Sequence, residues 1–273
     1  MCRALSVSRS GYYAWRRRPE SRRSIDNRCL DVHIRAIYQK HKGRCGSPKI
    51  TQELRDKGFE VNKNRVARRM QTFGLRSIVR RKFKVTTDSK HAYPIAENLL
   101  NRDFSADRPN TVWVSDITYI STQSGWLYLT VILDLFSRMV IGWALSSSLS
   151  HETVITALKR AIRSRLPGKG VVFHSDRGVQ YACKAFREEL ANHGFVQSMS
   201  RKGDCWDNAV AEAFFSIIKS ELIHHTRFKG SQDTLAAVFE YIEVYYNRKR
   251  KHSTLSYQTP EQFERTIKSA VCF

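Results

Sequence analysis

The chain has 273 residues, 41% of them hydrophobic, enough for one large domain or for two or three smaller ones with a real core. Its longest apolar stretches, such as 127–135, are too short to cross a bilayer, and the opening MCRALSVSRSGYYAW lacks the apolar run of a signal peptide. With 47 Lys+Arg against 25 Asp+Glu the formal charge is +22, a balance that asks for a polyanion partner, and the absence of a lipidation motif or a basic amphipathic helix favours nucleic acid over a membrane surface.

The charge is uneven. Residues 1–100 carry 25 basic and 8 acidic side chains, whereas residues 101–273 carry 22 and 17, so the N-terminal third is the expected DNA-holding part. Cys2, Cys29, Cys45, Cys183, Cys205 and Cys272 form no C-x-x-C pair, and no His pair has finger spacing. Free, reduced thiols are therefore expected rather than a zinc finger.

Residues 1–24 form a basic segment (RRRPESRR near its end) that predicts a short helix at most. From Ile25 the apolar residues Leu30, Ile34, Ile37 and Tyr38 recur at helical spacing up to about Lys42. GRCGS breaks that helix. Ser47 then reads as an N-cap with Pro48 at the first helical position, giving a helix of about 48–57 before Gly58. Asn62 caps a third helix, about 63–73, which carries Lys63, Asn64, Arg65, Arg68 and Arg69 beside the apolar Val66, Met70 and Phe73. Two short helices joined by a Gly-containing turn suggest a helix-turn-helix unit over 25–76, with these basic residues as candidate DNA contacts. A small helical bundle with a solvated basic face has the same pattern.

Residues 77–108 read as a linker, basic at first and then polar. Strand signals follow in TVWVSDITYI, WLYLTVILDLF and RMVIGWALS, three runs separated by tight turns, which predict an antiparallel meander. A helix is expected over about 151–165, a short strand at VVFHSD, a helix over 180–193, a brief strand near 195–199 and a long helix from about Asp207. The order β-β-β-α-β-α-β-α makes residues 109–228 an α/β layered sheet. Residues 229–273 hold a tail helix, 232–246, and a basic run.

Asp116 lies inside the first strand among apolar and β-branched neighbours, where an acid is costly to bury unless it is paired or metal-bound. Asp176 lies just past the fourth strand. If a β-α-β crossover sets that strand parallel beside the first, the two acids converge. Glu212 borders the apolar stripe of the long helix (Ala211, Phe214, Phe215, Ile218, Leu222) and can join them. Hard divalent cations take such oxygen ligands. Composition alone does not single out these three, since Asp176 could cap a helix and Glu212 could be a surface residue.

The surrounding blocks do. WVSDITY at 113–119, HSDRGVQY at 174–181 and DNAVAEAFF at 207–215, with 35 residues between Asp176 and Glu212, resemble the signature blocks of bacterial insertion-sequence transposases with a retroviral-integrase catalytic core. YYNRKRKHSTLSYQTP at 245–260, VSRSGYYAW at 7–15 and GRCGSPKI at 43–50 resemble further blocks of the subgroup whose catalytic protein is the second reading frame, OrfB. Cys45 and Cys183 depart from the residues more common there. The resemblance covers nearly the whole chain. It implies an RNase H-like mixed five-stranded sheet with flanking helices over 109–228, preceded by the small all-helical helix-turn-helix-like domain.

The resemblance also implies a catalytic and metal-binding triad of Asp116, Asp176 and Glu212. Two Mg²⁺ ions, for which Mn²⁺ substitutes, are implied, with Asp116 bridging them and Asp176 and Glu212 each holding one. The implied reaction is cleavage and strand transfer of element ends by 3′-OH attack on phosphodiesters. A metal-dependent nuclease on the same fold and a non-catalytic DNA-binding regulator are the alternatives. Expected partners are double-stranded DNA (terminal inverted repeats and target), further copies of the chain, and the upstream OrfA product or a fusion to it as OrfAB. A cytoplasmic, nucleoid-associated location is implied, with no membrane partner.

Other residues have two readings each. Lys219 shares a helix face with Asn208 and Glu212 and is a candidate phosphate contact. Asn208 either orients the site or caps the helix. His174 supports the site or packs at the strand end. Asp134 reads as a turn acid and Trp206 as a core anchor rather than a base-stacking residue. Arg248, Lys249, Arg250 and Lys251 follow the tail helix as candidate phosphate contacts, or as a solvated charge run.

Overall fold

A computed structural model of the chain describes residues 2, 4–78, 93–201 and 205–271. It divides into two compact units, Met1–Ile78 and Val79–Phe273.

The first unit is helical. Its elements are α1 (Arg9–Arg17), α2 (Arg22–Lys40), α3 (Ser47–Asp56) and α4 (Lys63–Thr72). The caps are those expected of Ser and Asn: Ser8 Oγ accepts from Gly11 N–H at 2.9 Å, and Asn62 Oδ1 accepts from Arg65 N–H at 2.8 Å. Gly46, not Ser47, is the cap residue of α3, and Ser47 is already helical. The turn after α3 passes through Gly58 at φ +85°, a left-handed conformation that glycine adopts without a Cβ clash. Leu30, Ile34 and Ile37 of α2 meet Ile50 and Leu54 of α3 and Val66 and Met70 of α4 in one buried core.

Beside that core lies a buried charge pair. His41 Nε2 stands 3.5 Å from Glu53 Oε1, and Lys40 donates to Glu53 Oε2 at 2.9 Å. Burial alone would push the His41 ring down, but its interactions with Cys45 and Glu53 raise it to about 9. Burial likewise opposes ionisation of Glu53, and His41 and Lys40 overcome it, holding the carboxyl at about 2. The stability due to His41 is complete below its ordinary 6.5 and is lost as pH rises through about 9. That due to Glu53 is complete above its ordinary 4.5 and is lost as pH falls through about 2. Amide exchange of α2 and α3, corrected for intrinsic rates, is therefore expected to be slowest between pH 4.5 and 6.5. Glu53→Gln should abolish that maximum; an unchanged profile would contradict the pairing.

The second unit is built on a five-stranded sheet in the order β3-β2-β1-β4-β5. The strands are β1 (Val112–Thr122), β2 (Gly125–Asp134), β3 (Val140–Ser146), β4 (Val172–Ser175) and β5 (Val196–Met199). The first three form the antiparallel meander, and β4 and β5 add in parallel to β1. Helices cover both faces: α5 (His151–Arg165), α6 (Val179–Ala182) and α7 (Lys184–Asn192) on one, α8 (Ala209–Glu221) on the other. Side chains alternate accordingly along β1. Trp113 packs with Val154, Leu158 and Phe186, whereas Val114 and Ile120 pack with Phe214 and Ile218 of α8. This is the mixed α/β sheet with flanking helices that the strand order predicts.

Three features differ from the sequence reading. The basic half of the predicted linker, 79–92, lies outside the described residues, but its second half packs on the sheet unit: Leu100 is buried, and Leu99 N–H donates to Ser198 Oγ at 2.9 Å. The tail helix is α9 (Ser231–Phe239) followed by a π-helical turn, Glu240–Tyr246. A further helix, α10 (Pro260–Val271), stands where the sequence reading has only a basic tail. Its Glu264 accepts from Arg165 at 2.7 Å, and Arg165 also holds Asp134 at 3.0 Å. Asp134 takes N–H bonds from Asn110 and Phe136 as well, which fits its reading as a turn acid. Among the described residues no helix is long and apolar enough to cross a membrane.

Candidate active site

The two aspartates are brought together by strand register. β1 and β4 are parallel, with Val112 beside Val172 and Val114 beside His174. Two residues further on, the same phase sets Asp116 alongside Asp176, both on the sheet face that α8 covers. Asp176 follows directly on β4, and its Oδ1 accepts the Gly178 N–H at 2.9 Å, which closes a tight turn into α6. A Cβ at Gly178 would stand 3.0 Å from that oxygen, so a bare glycine keeps the carboxylate in place. Glu212 lies in the first turn of α8 and is exposed, at the rim of the same face.

The charges of the three carboxylates act on one another. Asp116 is held well above its ordinary 3.8 by burial, then by the charge of Asp176 and, more weakly, of Glu212; the Ile117 N–H bond at 2.7 Å and the Lys219 charge oppose the rise. Glu212 is raised by burial and by Asp176. Among the described residues no three His, Cys, Asp or Glu side chains close around a single ion position. A hard cation such as Mg²⁺ does not need such a cage, because it takes one or two carboxylates and completes its shell with water and substrate phosphate. The all-oxygen donor set and the repulsion between like charges both fit a divalent cation.

Around the acids stands a scaffold of hydrogen bonds. Asn208 precedes α8 but does not cap it with its side chain; its Nδ2 donates to Ser115 O at 3.2 Å, tying the helix to β1 next to Asp116. This fits the reading in which Asn208 orients the site. His174 is fully buried between Ser198 Oγ (2.9 Å) and Ser200 Oγ (3.2 Å), and burial lowers it to about 4, so the ring is neutral and packs at the strand end. Lys219 reaches over the Tyr119 ring, 5.3 Å from its centroid. Two supports escaped sequence reasoning. Tyr181 shares a 2.9 Å hydrogen bond with Ser115 Oγ behind Asp116. Asp207, fully buried, accepts from Arg201 (Nη2 at 2.9 Å), Arg102 and Asn98 and is held far below the usual carboxylate range, chiefly by Arg201. Asp207 stands in the block that resembles the transposases, and Arg201 is 6 residues before it, but Arg102 and Asn98 are 105 and 109 residues away, so most of the clamp has no local signal. The Trp206 side chain lies outside the described residues.

The basic candidates separate by exposure. On α4, Lys63, Asn64 and Arg68 face solvent, whereas Arg65 donates to Asn27 at 2.9 Å and Arg69 to Asp31 at 2.7 Å, bracing α4 against α2. In the tail, Arg248 and Lys249 are exposed and Lys251 is half-buried. Arg250 corrects the sequence reading: it is buried, and its guanidinium grips Glu221 of α8 at 2.9 Å, so it is not a free phosphate contact.

Residues 106–205 and 212–267 match the integrase core domain, and residues 24–83 match an HTH-like domain. The chain is 42% identical over 267 residues to transposase InsF for insertion sequence IS3A of Escherichia coli (strain K12), covering 97% of this chain and 92% of that one. It is 40% identical over 264 residues to an uncharacterised 31 kDa protein of insertion element IS600 from Shigella sonnei, covering 96% and 97%. In fold it resembles a chain of the simian T-cell lymphotropic virus intasome in complex with the PP2A regulatory subunit B56 gamma, at TM-score 0.51 and 15% identity over 85% of this chain and 74% of that one. The paired strands, the covering helix and the whole-length similarity lead to one conclusion: the chain belongs to the insertion-sequence transposases with an RNase H-like integrase core and an N-terminal HTH-like domain, and it functions as a DNA transposase.

Proposed function

We propose that the chain is a polynucleotidyl transferase that cleaves insertion-sequence ends and joins them to target DNA through Asp116, Asp176 and Glu212, the ligands of two Mg²⁺ ions for which Mn²⁺ can substitute. The observation that carries this reading is the β1–β4 register, which aligns Asp116 with Asp176 on the face that α8 covers. As the resemblance to the transposases implies, Asp116 would be shared by the two ions, and Asp176 and Glu212 would each hold one. Such an ion pair activates a hydroxyl nucleophile and stabilises the leaving oxygen of an in-line phosphoryl displacement.

The chain's own residues do the rest. Asn208 fixes the start of α8, and with it Glu212, against β1. Lys219 neutralises a phosphate next to the acids, Arg248 and Lys249 hold backbone phosphates, and Lys63, Asn64 and Arg68 engage the terminal inverted repeat. Working on two ends at once requires more than one copy on the DNA. The upstream OrfA product, alone or fused as OrfAB, is the protein partner this reading adds, and the nucleoid is its place of action.

The test supplies duplexes ending in the element's terminal inverted repeat, target DNA and Mg²⁺. Joined products longer than the substrate are expected; cleavage without joining would reduce the assignment to a nuclease. Lys219→Ala should weaken DNA binding and flatten the log–log salt dependence by roughly 0.9, the signature of one lost phosphate contact. An unchanged slope would remove Lys219 from the interface.

A further inference from the structure

Glu212 is exposed in the first turn of α8, so its place relative to Asp176 is set by whatever holds the start of that helix. One hold is Asp207, which precedes Asn208 and is fully buried. Arg201 meets both of its oxygens: the backbone N–H donates to Oδ2 at 2.8 Å, Nε to Oδ2 at 3.0 Å and Nη2 to Oδ1 at 2.9 Å. The other donors come from the segment before the sheet, Asn98 Nδ2 to Oδ2 at 2.8 Å and Arg102 Nε to Oδ1 at 3.2 Å. A carboxylate bonded in this way from three stretches of chain is a fixed point.

The residue next to Arg201 grips Asp176 from both sides. Ser200 N–H donates to Ser175 O at 2.9 Å, and Ser200 O accepts from Arg177 Nε at 2.6 Å. Residues 200 and 201 therefore join the turn that carries Asp176 to the residue that anchors α8. The segment before the sheet is fastened at the same place: Leu99 N–H donates to Ser198 Oγ at 2.9 Å, and Met199 N–H to Glu97 O at 3.3 Å. Asp176 and Glu212 thus depend on one hydrogen-bonded brace. Asp116 does not, because it lies within β1.

We propose that Asp207 is a positioning residue: through Arg201 and Ser200 it holds Glu212 at the separation from Asp176 that a divalent cation requires. The proposal rests on the reading of Asp116, Asp176 and Glu212 as the metal site. Mg²⁺ demands a near-ideal octahedral shell, whereas Ca²⁺ accepts a looser one, so a slackened brace should be felt by Mg²⁺ most. The test titrates the full chain with each ion in a calorimeter. Asp207→Ala should weaken Mg²⁺ binding about tenfold, as loss of a ligand's outer support does, and Ca²⁺ binding much less. Asp207→Asn, whose amide oxygen still accepts from Arg201, should keep most of the Mg²⁺ affinity. Arg102 and Arg201 are 49% and 46% exposed and return to water in both variants, so no buried charge is left unpaired. Arg102→Met, which leaves the Arg201 bonds in place, should shift Mg²⁺ binding in the same direction by less. Affinities unchanged by Asp207→Ala, or lowered by the same factor for both ions, would overturn the positioning role. Asp116→Asn, titrated alongside, separates the two readings. If it leaves Mg²⁺ binding unchanged, the acid assignment falls; if it weakens binding and Asp207→Ala does not, only the brace falls.

Discussion

Asp116→Asn is expected to abolish strand cleavage and joining while raising the thermal stability of the metal-free protein. Asn has the shape of Asp and can still accept the Ile117 N–H bond, so the strand is not disturbed. What it removes is the charge. Loss of the metal-borne stabilisation of the transition state, several kcal/mol, corresponds to a rate loss of roughly a thousandfold or more. The stability effect has the opposite sign. Asp116 is held well above its ordinary 3.8 by burial and by the neighbouring acids, so without metal its contribution to stability falls as pH rises from 3.8 towards the folded-state value, and it opposes folding at neutral pH. The neutral amide removes that opposition. Strand-transfer assays and a melting curve in chelator check both halves: persistent activity would remove Asp116 from the mechanism, and a lowered melting temperature would contradict the repulsion. DNA affinity without divalent ions should stay near that of the parent.

The second large effect is expected far from the acids, at Arg250. Its guanidinium bonds Glu221 through Nε (3.1 Å) and Nη2 (2.9 Å), and Tyr241 donates to the same carboxylate at 2.9 Å, all out of solvent. Arg250→Met fits the space but leaves the Glu221 charge buried without its partner, a loss of about 3–5 kcal/mol. Adding Glu221→Gln should recover much of it, because the amide oxygen can still accept from Tyr241 and no unpaired charge remains. Urea unfolding of the single and double variants decides the matter. Glu221 ends the helix on which Glu212 stands, so Arg250→Met should also slow the chemistry. A stable Arg250→Met protein would show that the pair contributes little.

These two residues mark how far the sequence could be read. Asp116 and Asp176 were legible because β-strand side chains have a period of two and a crossover through α5 makes β4 parallel to β1, so phase aligns them. Arg250 was not legible, because RKRKH reads as a solvated charge run and the partner that draws one arginine inward is 29 residues away. The same holds for residues 93–108, whose polar composition hides the one leucine, Leu100, that anchors them in the core. His174 could not be decided from its neighbours, since Ser198 and Ser200, which enclose its ring, come from the end of β5 and the segment just after it. α4 shows the limit on charge counting. Two of its four cationic side chains, Arg65 and Arg69, bond to α2, and the pattern that sends Lys63 and Arg68 outward carries no sign of Asn27 or Asp31.

The strand order β3-β2-β1-β4-β5 has one more consequence. From β1 the chain proceeds to β2 and β3 on one side, then crosses over to build β4 and β5 on the other. Succession along the sheet reverses between β1 and β4, and in open α/β sheets such a reversal leaves a crevice at the carboxyl ends of the strands. Asp116 lies within β1, and Asp176 directly follows β4, so the sheet sets the place of both. Insertions in the β1–β2 turn, or in the connection from β3 to β4, would lengthen the chain without moving the two carboxylates apart. What surrounds Asp116 and Asp176 can therefore be remodelled while the sheet keeps their spacing.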